Sequence, residues 1–420
     1  MGGHLFNPTN SQLITLFKNT GLHHLRLGGS TVEGTDAAVP DNAAIDDVFG
    51  FAQAAGIKVI YSLRLLMGNP ATDAVTAQYI WQRYRPWLAC FAIGNEPDIK
   101  RYHYPPNGTG PDPLIKDYAT YLADWRKFAA AVTNALPDVK FAGPDAANQD
   151  WAGRMAKDEK NSGELALVTQ HFYIGGSPFV DADKKKTIPA EIAISNMLSA
   201  KWVKDKYPAL YKKAVAPVVE LGFSYRLTEA DDYLKGVGHA SDAYASALWA
   251  LDYLHWWAAH GASGVDFHNT EWLKTDTVHP DKDGNFQINP KAYGIKMFDV
   301  AAHGKTEPVK ISNKKQQNLT AYAIRDTTNL YVTLINKEYG PDARAAVVTI
   351  VPEGDQITAA SAMFLKAPDG NPEATNGITL GGATITNNAP WQGRWTPLDG
   401  VNNNKCSVTV PPASAVIVRM

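Results

Sequence analysis

Cysteine is nearly absent: the 420 residues hold two, Cys90 and Cys406. Two thiols build neither a disulfide framework nor a zinc-ligand pattern. Cys90 falls in an apolar run and Cys406 near the C-terminus, so both read as buried free thiols, the usual habit of unpaired cysteine. No apolar run reaches the roughly 18 residues of a membrane-spanning helix. The first thirty residues also lack the basic-then-apolar plan of a secretory leader. The expectation is a secreted or periplasmic protein if a leader is removed upstream, and a cytoplasmic one otherwise. The sequons Asn107-Gly108-Thr109 and Asn318-Leu319-Thr320 shift that balance little. Excess charge of either sign is missing too: 40 basic residues face 42 acidic ones, a net −2, and the two signs are interspersed. A nucleic-acid binder needs a clustered basic face, so that class is disfavoured. Neutral or weakly anionic small molecules stay open. There is no internal repeat and no low-complexity segment.

What is present is alternation. Short apolar runs, His24–Gly28, Lys58–Leu63, Leu88–Gly94, Val139–Gly143, Leu167–Tyr173, Ala216–Leu221 and Gly264–His268, read as strands. Between them lie helix-like stretches such as Ser11–Thr20, Ala43–Ala55, Ile115–Leu136 and Asp242–His260. In Ile115–Leu136, Tyr118, Tyr121, Leu122, Trp125, Phe128, Ala129 and Val132 recur at the spacing of one buried helix face. Strand–helix alternation over about 250 residues implies parallel strands with helical crossovers, and seven or eight units favour a closed barrel. The fold expected is α/β, a (β/α)8 barrel over residues 1–304, whose first strand is degenerate or missing because Met1–Phe6 is too short and Gly-rich to supply it. From 305 to 420 the runs shorten and are broken by Gly, Pro, Asn and Asp. That pattern predicts a C-terminal β-sandwich.

Chemistry in such barrels sits at the C-terminal ends of the strands. One run closes Ile93-Gly94-Asn95-Glu96-Pro97 and another closes Val218-Val219-Glu220-Leu221. A carboxylate directly after an apolar strand is costly to bury unless it is paired or used. Two of them on different strands can face each other across the mouth. That is what glycoside cleavage needs: one carboxyl protonates the leaving oxygen while the other attacks the anomeric carbon or activates water. Glu271, after the last run, is a third carboxylate but lies outside its run. Asp281-Lys282-Asp283-Gly284-Asn285 has its Gly misplaced for a calcium loop and reads as a turn. Asp145 either supports the site or caps the helix that follows.

The Asn95-Glu96-Pro97 triplet, with a later strand-end Glu, resembles the clan of retaining barrel glycosidases. That resemblance implies Glu96 as acid/base, Asn95 as a ligand of the sugar 2-hydroxyl and Glu220 as nucleophile, three strands apart as the clan requires. Within the clan the chain is similar to glycoside hydrolase family 79, the heparanase and β-glucuronidase family. Arg26-Leu27-Gly28-Gly29-Ser30 resembles the family's second-strand signature, and Glu33 stands where an Asp contacts sugar hydroxyls. Gln170-His171-Phe172-Tyr173 is similar to the sixth-strand end, where His171 and Tyr173 would line the site. Tyr225 stands five residues after Glu220, at the place of a Tyr beside the sugar carboxylate. Ile288–Gly294 is similar to the start of the last barrel helix. Two departures stand out. Tyr225 is followed by Arg226-Leu227 rather than by the glycines whose N–H groups bind the carboxylate, so Arg226 is expected either to take over by bidentate pairing or to be a solvated loop Arg. A first strand is also missing.

These readings combine into one expectation: double displacement on a β-glycoside, with a β-D-glucuronide as substrate. Trp272 would stack on the sugar or pack, His171 and Tyr173 would keep the nucleophile charged, and no metal or cofactor would take part. The alternatives are a neutral β-glucoside, xyloside or galactoside as substrate, a non-catalytic carbohydrate-binding barrel, and a truncated inactive one. No nucleic-acid or membrane partner is expected, and the sequence specifies no oligomer.

Overall fold

The computed structural model describes residues 5–33, 39–99, 117–270, 273–354, 356–402 and 404–420. Seven parallel strands stand side by side in chain order: β1 (His24–Leu27), β2 (Lys58–Leu63), β3 (Leu88–Ile93), β4 (Phe141–Ala146), β5 (Leu165–Tyr173), β6 (Ser224–Asp231) and β7 (Ala262–Phe267). β1 and β7 approach each other without pairing. Among the described residues the barrel is therefore nearly closed and has seven strands where eight were expected. Crossover helices cover it: α1 (Ser11–Thr20), α2 (Asn42–Ala55), α3 (Pro70–Tyr84), α4 (Tyr118–Ala135), α5 (Gln149–Asp158) and α6 (Ala190–Met197). The side chains of Asn10, Asp41, Asn69, Asp117 and Asn148 accept backbone N–H bonds at the starts of α1 to α5. Each such cap is worth on the order of 1 kcal/mol and turns the chain from loop to helix at a set residue.

The stretch before β6 differs from the expectation. Residues 202–219 are helical throughout. Two π-helical segments, Trp202–Lys206 and Tyr211–Val215, alternate with two short helices, α7 (Tyr207–Leu210) and α8 (Ala216–Val219). The run Ala216–Leu221 expected as the sixth strand is thus α8 and its exit. Its valines suggest a strand, but Pro217 sits in the first helical turn, where a missing N–H costs nothing. Val218 faces the core, Glu220 is exposed, and Gly222 at φ +84° ends the helix. The true strand begins at Ser224.

After β7 come a small hairpin, β8 (Val278–Pro280) with β9 (Phe286–Ile288), and α10 (Lys291–Ala301). The α9 helix (Tyr244–Ala259), between β6 and β7, is buried almost all round, as a helix apolar on every side must be. Trp249, Tyr253 and Trp257 pack there as core. The C-terminal part opens with β10 (Lys305–Glu307), β11 (Leu319–Arg325), β12 (Leu330–Asn336) and β13 (Ala346–Ile350). It continues through β14 (Ser361–Lys366), β15 (Thr379–Leu380), β16 (Thr396–Pro397), β17 (Cys406–Val410) and β18 (Ser414–Arg419). One antiparallel sheet runs β10-β11-β12-β18-β14-β15 with β16 on β14, and β13 with β17 forms a separate two-stranded ribbon. On β18 the alternation is plain: Ala415 and Ile417 join the large core that includes the barrel, while Val416 and Val418 pack with the ribbon's Ala346, Val408 and Val410. Cys90 and Cys406 are buried free thiols. No helix among the described residues is long and apolar enough to cross a membrane.

Candidate active site

β3 delivers Glu96 to the mouth of the barrel. After Ile93 the chain turns through Gly94 at φ +87°, and Glu96 itself takes φ +44°, a left-handed conformation uncommon for a residue with a Cβ. Its backbone N–H donates to the Asp145 carbonyl oxygen at 2.8 Å. Glu96 and Asn95 are both buried. Gly28 admits the neighbouring strand end closely, since a Cβ there would lie 2.3 Å from the Ser62 hydroxyl.

The carboxylate that meets Glu96 is Glu229. His171 lies between them, its Nδ1 being 3.3 Å from Glu96 Oε1 and 3.9 Å from Glu229 Oε2. One oxygen of each glutamate and a His171 ring nitrogen all lie within 4.8 Å of one another. Glu229 also accepts from the Tyr173 hydroxyl (2.8 Å) and from Arg26 Nη1 (3.3 Å). The Tyr173 hydroxyl is in turn 2.6 Å from His268 Nδ1, at the end of β7. Arg26 on β1 also donates through Nη2 to Asn95 Oδ1 (2.7 Å) and Asp145 Oδ2 (3.0 Å).

A bulge aims Glu229 inward. Strict alternation on β6 would send Glu229 the same way as Tyr225 and Leu227, which lie fully buried in the apolar core. The β5–β6 register instead slips: Gln170 pairs with Leu227 and the next residue, His171, with Glu229. Thr228 is the extra residue, and such an insertion re-aims the side chains beyond it. β4 carries a similar slip between Gly143 and Ala146, at the position of Asp145.

Burial opposes every charge in this cluster, and the charges answer one another. Burial pushes the Glu229 carboxyl up, but His171, Arg26 and the Tyr173 hydrogen bond outweigh it and leave its pKa at about 2. Burial likewise disfavours the His171 imidazolium, yet Glu229, Asp145 and Glu96 raise it to about 10. Asp145 lies well below the usual carboxylate range because Arg26, His171 and Thr228 overcome its burial. Among the described residues Glu96, His171 and Glu229 form the set close enough to share a metal ion. The cationic Arg26 and His171 already supply positive charge there.

The residues anticipated from sequence divide into three groups. Glu96, Asn95, His171 and Tyr173 come together as described. Glu33 stands nearby but turned to the backbone, its oxygens accepting from Leu65 N (3.2 Å) and Leu66 N (2.6 Å). It braces the loop after β2 rather than offering a free carboxylate to a sugar. Glu220, Tyr225 and Arg226 do not join the site. Glu220 lies before β6 and Tyr225 at its start, whereas the mouth is at its end, and a strand rises about 3.3 Å per residue. Tyr225 is core. Arg226 is neither a solvated loop residue nor free for a ligand: its Nε and Nη2 donate to Asp266 of β7 at 2.8 and 2.7 Å inside the barrel. Gly264 makes room for it, since a Cβ there would lie 2.4 Å from Arg226 Nη1. Trp272 and Glu271 lie outside the described residues. Sequence reading missed Glu229, His268 and the polar role of Arg26, and left Asp145 between supporting the site and capping the next helix, of which the structure shows the first. The available signal for Glu229 was Gly222, which ends one element, followed by Ser224–Asp231, a run long enough for another strand.

No protein-family model and no curated protein matches the chain. Solved structures do. A 4-O-α-L-rhamnosyl-β-D-glucuronidase from Fusarium oxysporum 12S superposes with a TM-score of 0.73 at 17% identity, over 100% of this chain and 93% of that one. A family 51 arabinofuranosidase from Xanthomonas axonopodis pv. citri gives 0.66 at 14%, over 97% and 89%. A monomeric β-xylosidase from Caulobacter crescentus CB15 gives 0.59 at 15%, over 100% and 93%. These neighbours are glycoside hydrolases, and the chain shares their fold from barrel through C-terminal sheet.

Proposed function

We propose that the chain is a retaining β-glycosidase in which Glu229 is the nucleophile and Glu96 the acid/base. The observation that carries this reading is the approach of two buried carboxylates to within 4.8 Å across the barrel mouth. Retaining enzymes hold the pair about 5–5.5 Å apart, whereas inverting ones leave about 6.5–9.5 Å for a water. Glu229 stands at the end of the sixth strand and Glu96 after the third, the three-strand separation anticipated for the pair. The partners support these roles: Arg26, His171 and Tyr173 favour Glu229 as an anion, the form that attacks. Glu229 Oε bonds to the anomeric carbon as the glycosidic bond breaks, its electron pair leaving with the oxygen that Glu96 protonates. Water then gives its proton to Glu96 and its oxygen to the anomeric carbon, which frees Glu229. Asn95, fixed through Oδ1 by Arg26, is left with its amide NH2 to donate to a sugar hydroxyl.

We take a β-glucuronide as the substrate, on the overall similarity to the Fusarium glucuronidase and on the loop after Glu229. There Gly238 and the exposed Lys235 follow the nucleophile, while the Gly236 N–H is already donated to the Tyr233 carbonyl oxygen. A neutral β-glycoside is the second reading. The observation favouring it is that Arg226, the cation named for the carboxylate, is fully engaged by Asp266. The test is hydrolysis of aryl β-glucuronide and aryl β-glucoside by the intact chain, E229Q, E96Q and E220Q. E229Q is expected to lose at least a thousandfold in kcat, E96Q to lose most on substrates with poor leaving groups, and E220Q to stay within twofold of the parent. A parent inert on both substrates, or E229Q near the parental rate, contradicts the proposal.

A further inference from the structure

Asp145 is a third carboxylate at the mouth, and the double displacement above gives it no step. It does not cap the following helix, because Asn148 does that. Instead it is buried with both oxygens engaged. Oδ2 accepts from Arg26 Nη2 at 3.0 Å. Oδ1 accepts from Thr228 Oγ1 at 2.5 Å and lies 3.8 Å from His171 Nε2. Its carbonyl oxygen receives the Glu96 N–H, and its own N–H donates to Thr169 Oγ1 at 2.9 Å. It holds φ +49°, left-handed for a residue with a Cβ, within the β4 register slip. One residue thus touches the backbone of one catalytic glutamate and both cations that flank the other.

We infer that Asp145 is a positioning residue for this reaction: its buried carboxylate supplies the counter-charge that lets Arg26 and His171 stand as cations beside Glu229, with His171 also reaching Glu96. The inference rests on the glycosidase reading for its consequence, though not for its geometry. In charge terms, two cations are balanced by Asp145 and Glu229. Glu96, whose Oε1 lies 3.3 Å from His171 Nδ1, is then the third carboxyl and the one the reaction uses as proton donor. Without Asp145 the two cations have only the catalytic pair to neutralise them. The groups facing His171 are Glu96 from β3, Asp145 from β4, Glu229 from β6, Arg26 from β1 and His268 beyond β7. Tyr173 completes the set through Glu229. Removing the negative charge of Asp145 lowers the proton affinity of every titrating member, so both limbs of a pH–rate profile move to lower pH.

The test is D145N, which keeps the shape and removes the charge. Its kcat at the parental optimum should fall at least tenfold with KM within threefold, and both limbs of kcat/KM should shift down by half a pH unit or more. A brace without an electrostatic role would lower kcat or thermal stability and leave the limbs in place, and that result overturns the inference. A second measurement needs no turnover: nitrogen-15 histidine NMR of the intact chain, with His171 assigned through H171Q. His171 should be an imidazolium at pH 8 in the parent and titrate at least one unit lower in D145N. A neutral His171 at pH 8 in the parent overturns the inference, even if D145N does not fold. If the parent hydrolyses no glycoside, the proposed function falls, and the NMR result still decides the role of Asp145.

Discussion

Burial raises the Glu33 carboxyl to about 7, although it accepts backbone N–H groups from Leu65 and Leu66. A folded-state pKa above the unfolded value means that the native state holds its proton more tightly. The stabilisation is complete below the unfolded pKa, near 4.5, and is lost as pH rises through about 7. Asp73, raised to about 7 by burial and then by Glu33, shares the effect. E33Q does not titrate, so its stability relative to the parent should improve from pH 4.5 to pH 7.5, by about 3 kcal/mol at most. Thermal unfolding of both proteins across that range checks this, and a pH-independent difference contradicts it. Glu33 also illustrates what one position in a sequence conveys. Its place after Arg26-Leu27-Gly28-Gly29 marked it as near the site, and it is near. Which groups its oxygens meet depends on the loop after β2, whose backbone N–H groups leave no trace in residue type.

At the scale of elements, one strand decides the reading of the site. Glu96, Asn95, His171 and Tyr173 were legible because each follows or ends an apolar run that is a strand. β6 was not, for two physical reasons. Its interior face carries Arg226 and Thr228, polar residues that bond to Asp266 on the adjacent β7 and to Asp145 on β4, two strands away, so it shows no apolar run. The helix before it ends in Pro217-Val218-Val219, which imitates one. The bulge at Thr228 then hides Glu229 a second time, because alternation alone points it outward. The Arg226–Asp266 pair yields a prediction at this scale. Breaking a buried, bidentate ion pair costs about 3–5 kcal/mol, while replacing both partners with apolar groups costs far less. R226M should therefore lower the unfolding temperature sharply and R226M/D266L should recover most of it. KM for a glucuronide should change no more than KM for a glucoside in R226M. A selective loss of glucuronide affinity would return Arg226 to substrate recognition.

Across the whole molecule, the barrel and the C-terminal sheet were both visible as changes in the period and length of apolar runs. The pairing of their strands was not. β17 and β18 are close in sequence, yet β17 joins the ribbon and β18 the main sheet, separated by a turn through Pro411 and Pro412. The two parts share buried contacts that hydropathy could not announce. Asp252 of α9 accepts from Thr320, Tyr322 and Lys337 of the sheet at 2.7 Å each. The large core likewise runs from the barrel into β18. The account of function rests on one strand of this assembly presenting Glu229 to Glu96. The most direct measurement is trapping of the glycosyl-enzyme with 2-deoxy-2-fluoro-β-glucuronosyl and -glucosyl fluorides, followed by peptide mass mapping. The account predicts one sugar per chain, esterified to Glu229 within Ser224–Asp231. A label on Glu220, or inversion of the anomeric configuration with no label on a chain that turns over, would contradict it.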